Sequence, residues 1–213
     1  MSASKTQRLV ETAMLIGIAT VLSIFKPFEL PFGGGVTIVS MLPIIIIAFR
    51  YGTAWGLFSA FTGSILQIIV GFKTVSVFFL PGDGQVAIWK AILICLIDYI
   101  LAYSMLGFGG VLRNTRFSRP FSLCLGSVIA LLLRYICHII SGILFFGQWA
   151  QWYFSQEKFY AIGEKILETY SGKSLTVIYS VFYNGLYMIP EIIITAIVAL
   201  IIGVVPQLSS KKA

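Results

Sequence analysis

Apolar stretches of about 20 residues recur along this 213-residue chain, each long enough to cross the roughly 30 Å hydrocarbon core of a bilayer as a helix. Inside lipid an unpaired backbone N–H or C=O finds no water, so such segments fold as helices whose hydrogen bonds close within the segment. Only 11% of the residues are charged and 58% are hydrophobic, whereas an ordinary soluble domain carries about a quarter charged. The expected fold class is an all-α integral membrane protein, one unit over residues 1–213. The first apolar run lacks a small-residue cleavage site and is followed by further spans, so it reads as a retained helix.

Turn chemistry divides the chain into six transmembrane helices, expected near Leu9–Phe25, Val36–Phe49, Ala54–Val70, Val86–Leu106, Phe121–Phe146 and Leu175–Val205. The breaks fall at Pro27 to Gly35, Tyr51-Gly52, Pro81-Gly-Asp-Gly84 and Gly107 to Pro120. The Gly-rich Phe32-Gly-Gly-Gly35 precedes a short span and reads as a flexible loop over the outer face. The longest connection, Gly147 to Ser174, holds the amphipathic stretch Glu157–Glu168, expected as a surface helix on that face.

Basic residues set the orientation. With the N-terminus inside, Lys5, Arg8, Arg50, Arg113, Arg116, Arg119, Lys211 and Lys212 are cytoplasmic, while Lys26, Lys73, Lys158, Lys165 and Lys173 are outside. Both termini are therefore expected in the cytoplasm. The acidic residues agree, since Glu29, Asp83, Glu157, Glu164 and Glu168 fall outside. The net charge of +7 then reflects topology and anionic lipid headgroups, and no nucleic-acid partner is expected.

Polar residues left inside the spans carry the chemistry, because ionisable groups at membrane depth tend to face a cavity or a partner. Asp98 and Tyr99 lie in the fourth span. Arg134 and the only histidine, His138, sit four apart in the fifth and so share a helix face. Asp98 is placed either to neutralise Arg134 or to meet a cationic ligand. In the sixth span Tyr179, Tyr183 and Tyr187 form a stripe beside Asn184, which suits a planar, nitrogen-rich ligand. The same tyrosines would also serve as an aromatic belt or as packing between helices. Glu191, after Pro190, reads as a structural pairing.

Enzymatic chemistry finds no support. There is no nucleophile elbow with a catalytic dyad, no metal-spaced His/Cys/Glu cluster and no Walker-type phosphate loop. Cys95, Cys124 and Cys137 all lie in apolar runs and imply no disulfide framework. No inverted repeat is evident. No cofactor is expected. The pattern is that of a small solute-binding membrane protein energised by something else, with a self-sufficient secondary carrier as the competing class.

Several segments resemble, in order, the thiamin-specific S components of energy-coupling factor (ECF) transporters, the ThiT/YuaJ family. They are Leu30-Pro-Phe-Gly-Gly-Gly-Val-Thr37 and its continuation to Pro43, Phe49-Arg-Tyr-Gly52, Asp98-Tyr99, Arg134 to Phe146, Ile178 to Gly185, and Tyr187-Met-Ile-Pro190. The resemblance implies the S-component fold of six helices with inside termini, and a high-affinity site for thiamin in the plasma membrane. It implies that His138 is the binding histidine, that Asp98 replaces a common glutamate, and that Tyr179 and Asn184 contact the vitamin. Phe146 stands where some members have a stacking tryptophan, with Trp149 a second candidate. The pocket's remaining expected residues are Tyr99 and Arg134, the latter anchoring its floor. Ala13 and Gly17 form a small-xxx-small pair that either packs within the bundle or, as the resemblance implies, contacts the transmembrane coupling subunit, itself bound to two cytoplasmic ATPases. An S component for another small heterocycle is the alternative within the same fold.

Overall fold

A computed structural model describes residues 4–30, 34–82, 84–157 and 160–210. Asp83, Lys158, Lys211, Lys212 and the first two residues of the Phe32–Gly35 loop lie outside the described residues. Among those described, five helices are long and apolar enough to cross a membrane: α1 Lys5–Ile24, α3 Thr53–Val70, α5 Ile88–Gly110, α6 Arg119–Phe154 and α8 Gly172–Val204. Between and after them lie α2 Leu42–Tyr51, the short α4 Phe72–Ser76, the amphipathic α7 Tyr160–Thr169 and the terminal turn α9 Pro206–Ser209. A two-stranded antiparallel hairpin, β1 Phe28–Glu29 and β2 Gly35–Val36, connects α1 to α2.

The second expected span is the main departure. Instead of crossing from Val36 to Phe49, the chain enters through β2 and a turn, and only Leu42–Tyr51 is helical. Ten residues at 1.5 Å each give about 15 Å, half the membrane. The helix is delayed because Thr37 and Ser40 bond each other, Oγ1 to Oγ at 2.7 Å, and the Thr37 hydroxyl also accepts from Ser40 N–H. Such side chains offer the backbone an alternative to the helical ladder. Glu191 of α8 locks that turn, accepting from Thr37 N–H at 2.7 Å and from its hydroxyl at 2.8 Å. Every residue of α2 is buried, as expected for a helix that is apolar all round. It is the bundle's central post.

The fifth expected span also differs: α6 runs past Ser141 as a π segment (Gly142–Phe146) and a 3-10 turn (Gly147–Trp149) to Phe154. That extension absorbs the start of the long connection, and α7 occupies the amphipathic stretch beyond it. α8 packs along α6 as the most extensive helix pair.

The two ends of the bundle differ in chemistry. At one end Arg50 donates to Glu11 at 2.9 Å and to the Gln207 carbonyl, Tyr51 donates to Glu11, and Arg113 donates to the Arg50 carbonyl at 3.0 Å. Arg119 reaches Ser210 there at 3.2 Å. The start of α1 and the segment after α8 therefore share one end with these arginines. The hairpin and the Lys26–Glu29 pair (2.8 Å) lie at the far end of α1.

Helix contacts near the arginine end depend on absent side chains, as expected where helices pack in lipid. A Cβ on Gly110 would stand 2.2 Å from the Ala48 carbonyl oxygen, and one on Gly126 2.3 Å from the Gly109 oxygen. At Gly17 of α1 a Cβ meets nothing within 4 Å. Gly110→Ala is therefore expected to destabilise the detergent-solubilised protein by about 1–3 kcal/mol, and Gly17→Ala to leave it unchanged or slightly more stable. Thermal melting of the two variants checks this contrast.

A candidate ligand-binding cavity

A cavity of about 310 Å³ opens into the bundle between the hairpin end of α1 and helices α3, α5, α6 and α8. That volume lies at the lower end of the ~300–1,000 Å³ typical of small-molecule sites. Its most polar wall is a hydrogen-bonded chain crossing from α6 to α5. Arg134 Nε donates to His138 Nε2 at 3.2 Å, His138 Nδ1 meets Asp98 Oδ1 at 2.8 Å, and Ser141 Oγ donates to Asp98 Oδ2 at 2.5 Å. A guanidinium can only donate, so Nε2 must accept and the ring proton sits on Nδ1, facing the carboxylate. The chain thus assigns a neutral imidazole in a single tautomer. Its direction is fixed by the arginine.

Asp98 pairs with His138 rather than neutralising Arg134. No carboxylate among the described residues lies within 4 Å of the guanidinium. Arg134 instead reaches Met41 Sδ at 3.4 Å and lies over the ring of Tyr103, 4.8 Å from its centroid.

Irregular helix supplies this geometry. Asp98 and Tyr99 sit in a π segment, Cys95–Leu101, and Ser141 and Phe146 flank or close the second one in α6. Such segments insert an i→i+5 turn and recur at functional sites. On α8, Asn184 is held by three contacts: its amide donates to the His138 carbonyl (3.3 Å) and the Ser180 carbonyl (2.8 Å), and its oxygen accepts from Tyr187 OH (2.6 Å). Gly142 lets α6 approach there, since a Cβ would stand 2.5 Å from Ser180 Oγ. The Tyr187 ring meets His138 edge-on at 5.9 Å.

Aromatic groups form the remaining wall. Tyr179 and Tyr183 line the cavity with rings 5.6 Å apart, and Tyr153 packs behind both at 5.3 and 5.5 Å. Phe146 also lines it, edge-on to Phe78 at 5.9 Å. Of the residues singled out from sequence, the structure brings His138, Asp98, Tyr99, Arg134, Phe146, Tyr179 and Asn184 to one cavity. Trp149 is placed elsewhere: the 3-10 turn after Phe146 carries it off the wall, against Trp152 at 6.1 Å.

Sequence reading missed the contributions of α1 and α3. Gln67, the one amide in α3, lines the cavity and donates to Ser23 of α1 at 3.1 Å. A lone amide in an apolar span was the available signal. Ser40, Met41 and Tyr103 also line the cavity, and none of them stands out by residue type. Ala13 and Gly17 are exposed on the outer face of α1, which excludes packing within the bundle.

Comparison with known proteins agrees with this architecture. Residues 9–156 match the family described as Thiamine transporter protein (Thia_YuaJ). The chain is 32% identical to the thiamine transporter ThiT of Bacillus subtilis (strain 168), over 90% of this chain and 87% of that protein. A solved structure of ThiT from Listeria monocytogenes superposes with a TM-score of 0.66 at 22% identity, covering 97% of this chain and 98% of that one, and so shares the fold. These relatives are named as transporters, and this one is a multi-pass membrane transport protein rather than an enzyme. The chain belongs to the thiamine transporter (Thia_YuaJ) family.

Proposed function

We propose that this chain is the thiamin-binding S component of an ECF-type ABC importer, capturing the vitamin from outside in the cavity between α3, α5, α6 and α8. The observation that carries the reading is the joining of Asp98, His138 and Asn184 to an aromatic wall in one cavity of small-molecule size. Thiamin joins a permanently cationic thiazolium to a neutral aminopyrimidine. Asp98 offers the cation a carboxylate, and Tyr179, Tyr183 and Phe146 offer it aromatic faces. The lone pair left on the Asn184 oxygen suits a donor of the pyrimidine, and His138, with both ring nitrogens engaged, holds Asp98 in place for the ligand. Tyr99 closes the wall beside Asp98, and Arg134 fixes the histidine.

In this reading α2 counts as the sixth helix, completing the S-component arrangement as a single substrate-binding unit. The arginine end, which holds both ends of the described chain, is cytoplasmic, and the hairpin end faces outward; the clustering of Arg50, Arg113 and Arg119 supports this sidedness. The partners are thiamin, the lipid bilayer, a transmembrane coupling subunit and two cytoplasmic ATPases. Support for the coupling contact is the bare surface at Ala13 and Gly17, where another helix could approach closely.

Calorimetric titration of the purified protein tests the site. Saturable thiamin binding is expected, with His138→Ala and Asp98→Asn each weakening it by about 10- to 100-fold, or about 1.4–2.8 kcal/mol, while both variants still insert and fold. Unchanged affinity in both would reduce these residues to structural partners. Binding of a different heterocycle in place of thiamin would leave only the fold assignment.

The coupling contact has its own test. Gly17→Leu is expected to leave thiamin affinity intact and to abolish most ATP-driven uptake in proteoliposomes containing the coupling subunits. Uptake by the purified chain alone, without those subunits, would contradict the S-component reading.

A further inference from the structure

Gln67 brings an amide from α3 to the cavity, and a neighbour on α1 fixes its orientation. Ser23 Oγ donates its proton to the Thr20 carbonyl at 2.7 Å. A hydroxyl has a single proton, so towards Gln67 the Ser23 oxygen can only accept. The end of the amide that faces it, at 3.1 Å, must be the NH2 group. Gln67 Oε1 is therefore the end turned away from Ser23, and among the described residues it accepts no hydrogen bond.

Helical spacing shows where that oxygen can find a partner. Ala60, Gly63, Ser64 and Gln67 share one face of α3, and the first three are buried. Gln67 is only partly buried on that same inward face, so the surface it keeps belongs to the cavity it lines and not to lipid. One turn before it, a Cβ on Gly63 would stand 3.6 Å from Tyr103 Cε1; one turn after it, a Cβ on Gly71 would stand 3.5 Å from Tyr99 Cε1. Gln67 thus borders the stretch of α5 that carries Asp98. Since α3 packs on α1, α2 and α5 while α8 packs mainly on α6, Gln67 and Asn184 belong to separate walls.

We propose that Gln67 Oε1 accepts a hydrogen bond from the hydroxyethyl group of bound thiamin. This rests on the reading of the cavity as a thiamin site. Thiamin offers its hydrogen-bond donors at opposite ends, an amino group on the pyrimidine and an alcohol on the thiazolium side chain. The Asn184 oxygen suits the amino group, on the α8 wall. The thiazolium is drawn to Asp98 on α5, and its side chain then reaches the neighbouring α3 wall, where Gln67 waits as an acceptor. Gln67 is thereby a specificity-determining residue, favouring ligands with a free alcohol at this end over those ending in an alkyl group.

The test is calorimetric titration of the full-length protein in detergent with thiamin and with an analogue whose hydroxyethyl group is replaced by ethyl. The unaltered protein is expected to prefer thiamin by about 3- to 10-fold, the effect of one hydrogen bond. In Gln67→Met, whose flexible apolar chain fills the same space, that preference is expected to shrink towards none, closing a thermodynamic cycle. Gln67→Leu repeats the comparison should the Met variant not be recovered folded. Ser23→Ala breaks the same α1–α3 hydrogen bond but leaves the amide oxygen, and is expected to keep most of the preference. An undiminished preference in the Gln67 variants, with both ligands weakened alike, would overturn the assignment. So would a preference lost equally in Ser23→Ala, which would trace the effect to the α1–α3 contact. Failure of the unaltered protein to bind thiamin would instead remove the thiamin reading, and the assignment with it.

Discussion

A chain of hydrogen bonds from Arg134 through His138 to Asp98 and Ser141 organises the interior of this bundle. Polar groups at membrane depth are tolerated only when paired or facing a cavity, and here both conditions meet. The arginine can only donate, which fixes the imidazole tautomer and points its remaining N–H at the carboxylate. Both oxygens of Asp98 are engaged, so the carboxylate is held in place before any ligand arrives. Preorganisation of this kind lowers the ordering that binding would otherwise require.

The rest of the structure brings the other walls to that chain. Glu191 holds the Thr37–Ser40 turn against α8, which places Ser40 and Met41 at the cavity and starts α2 late. Asn184 bonds the His138 carbonyl, tying α8 to the turn of α6 that carries the histidine. Close contacts at Gly110 and Gly126 join the helices nearer the arginine end, away from the hairpin. The hairpin half thereby keeps an opening, and the arginine half is closed by packing.

Much of this was legible in the sequence, for physical reasons. Charge is so scarce in the apolar runs that Asp98, Arg134 and His138 declare themselves, and the tyrosine stripe with Asn184 follows from helical spacing. The length of α2 was not legible, because a wholly apolar segment does not reveal where its helix begins; the delaying contact comes from Glu191, more than 150 residues away. The partner of Asp98 also escaped, since spacing fixes faces of one helix but not the register between two. The π turns in α5 and α6 carry no distinct composition, so Tyr103 could not be assigned to the cavity nor Trp149 removed from it. Gln67 was visible as a lone amide and passed over.

The central claim is that thiamin occupies this cavity, and a structure of the protein crystallised with thiamin tests it most directly. The account predicts the vitamin between α5, α6 and α8, with a ring atom within hydrogen-bonding distance of Asp98 or Asn184 and an aromatic face of Tyr179, Tyr183 or Phe146 against it. Thiamin bound elsewhere on the protein, with this cavity empty, would contradict it.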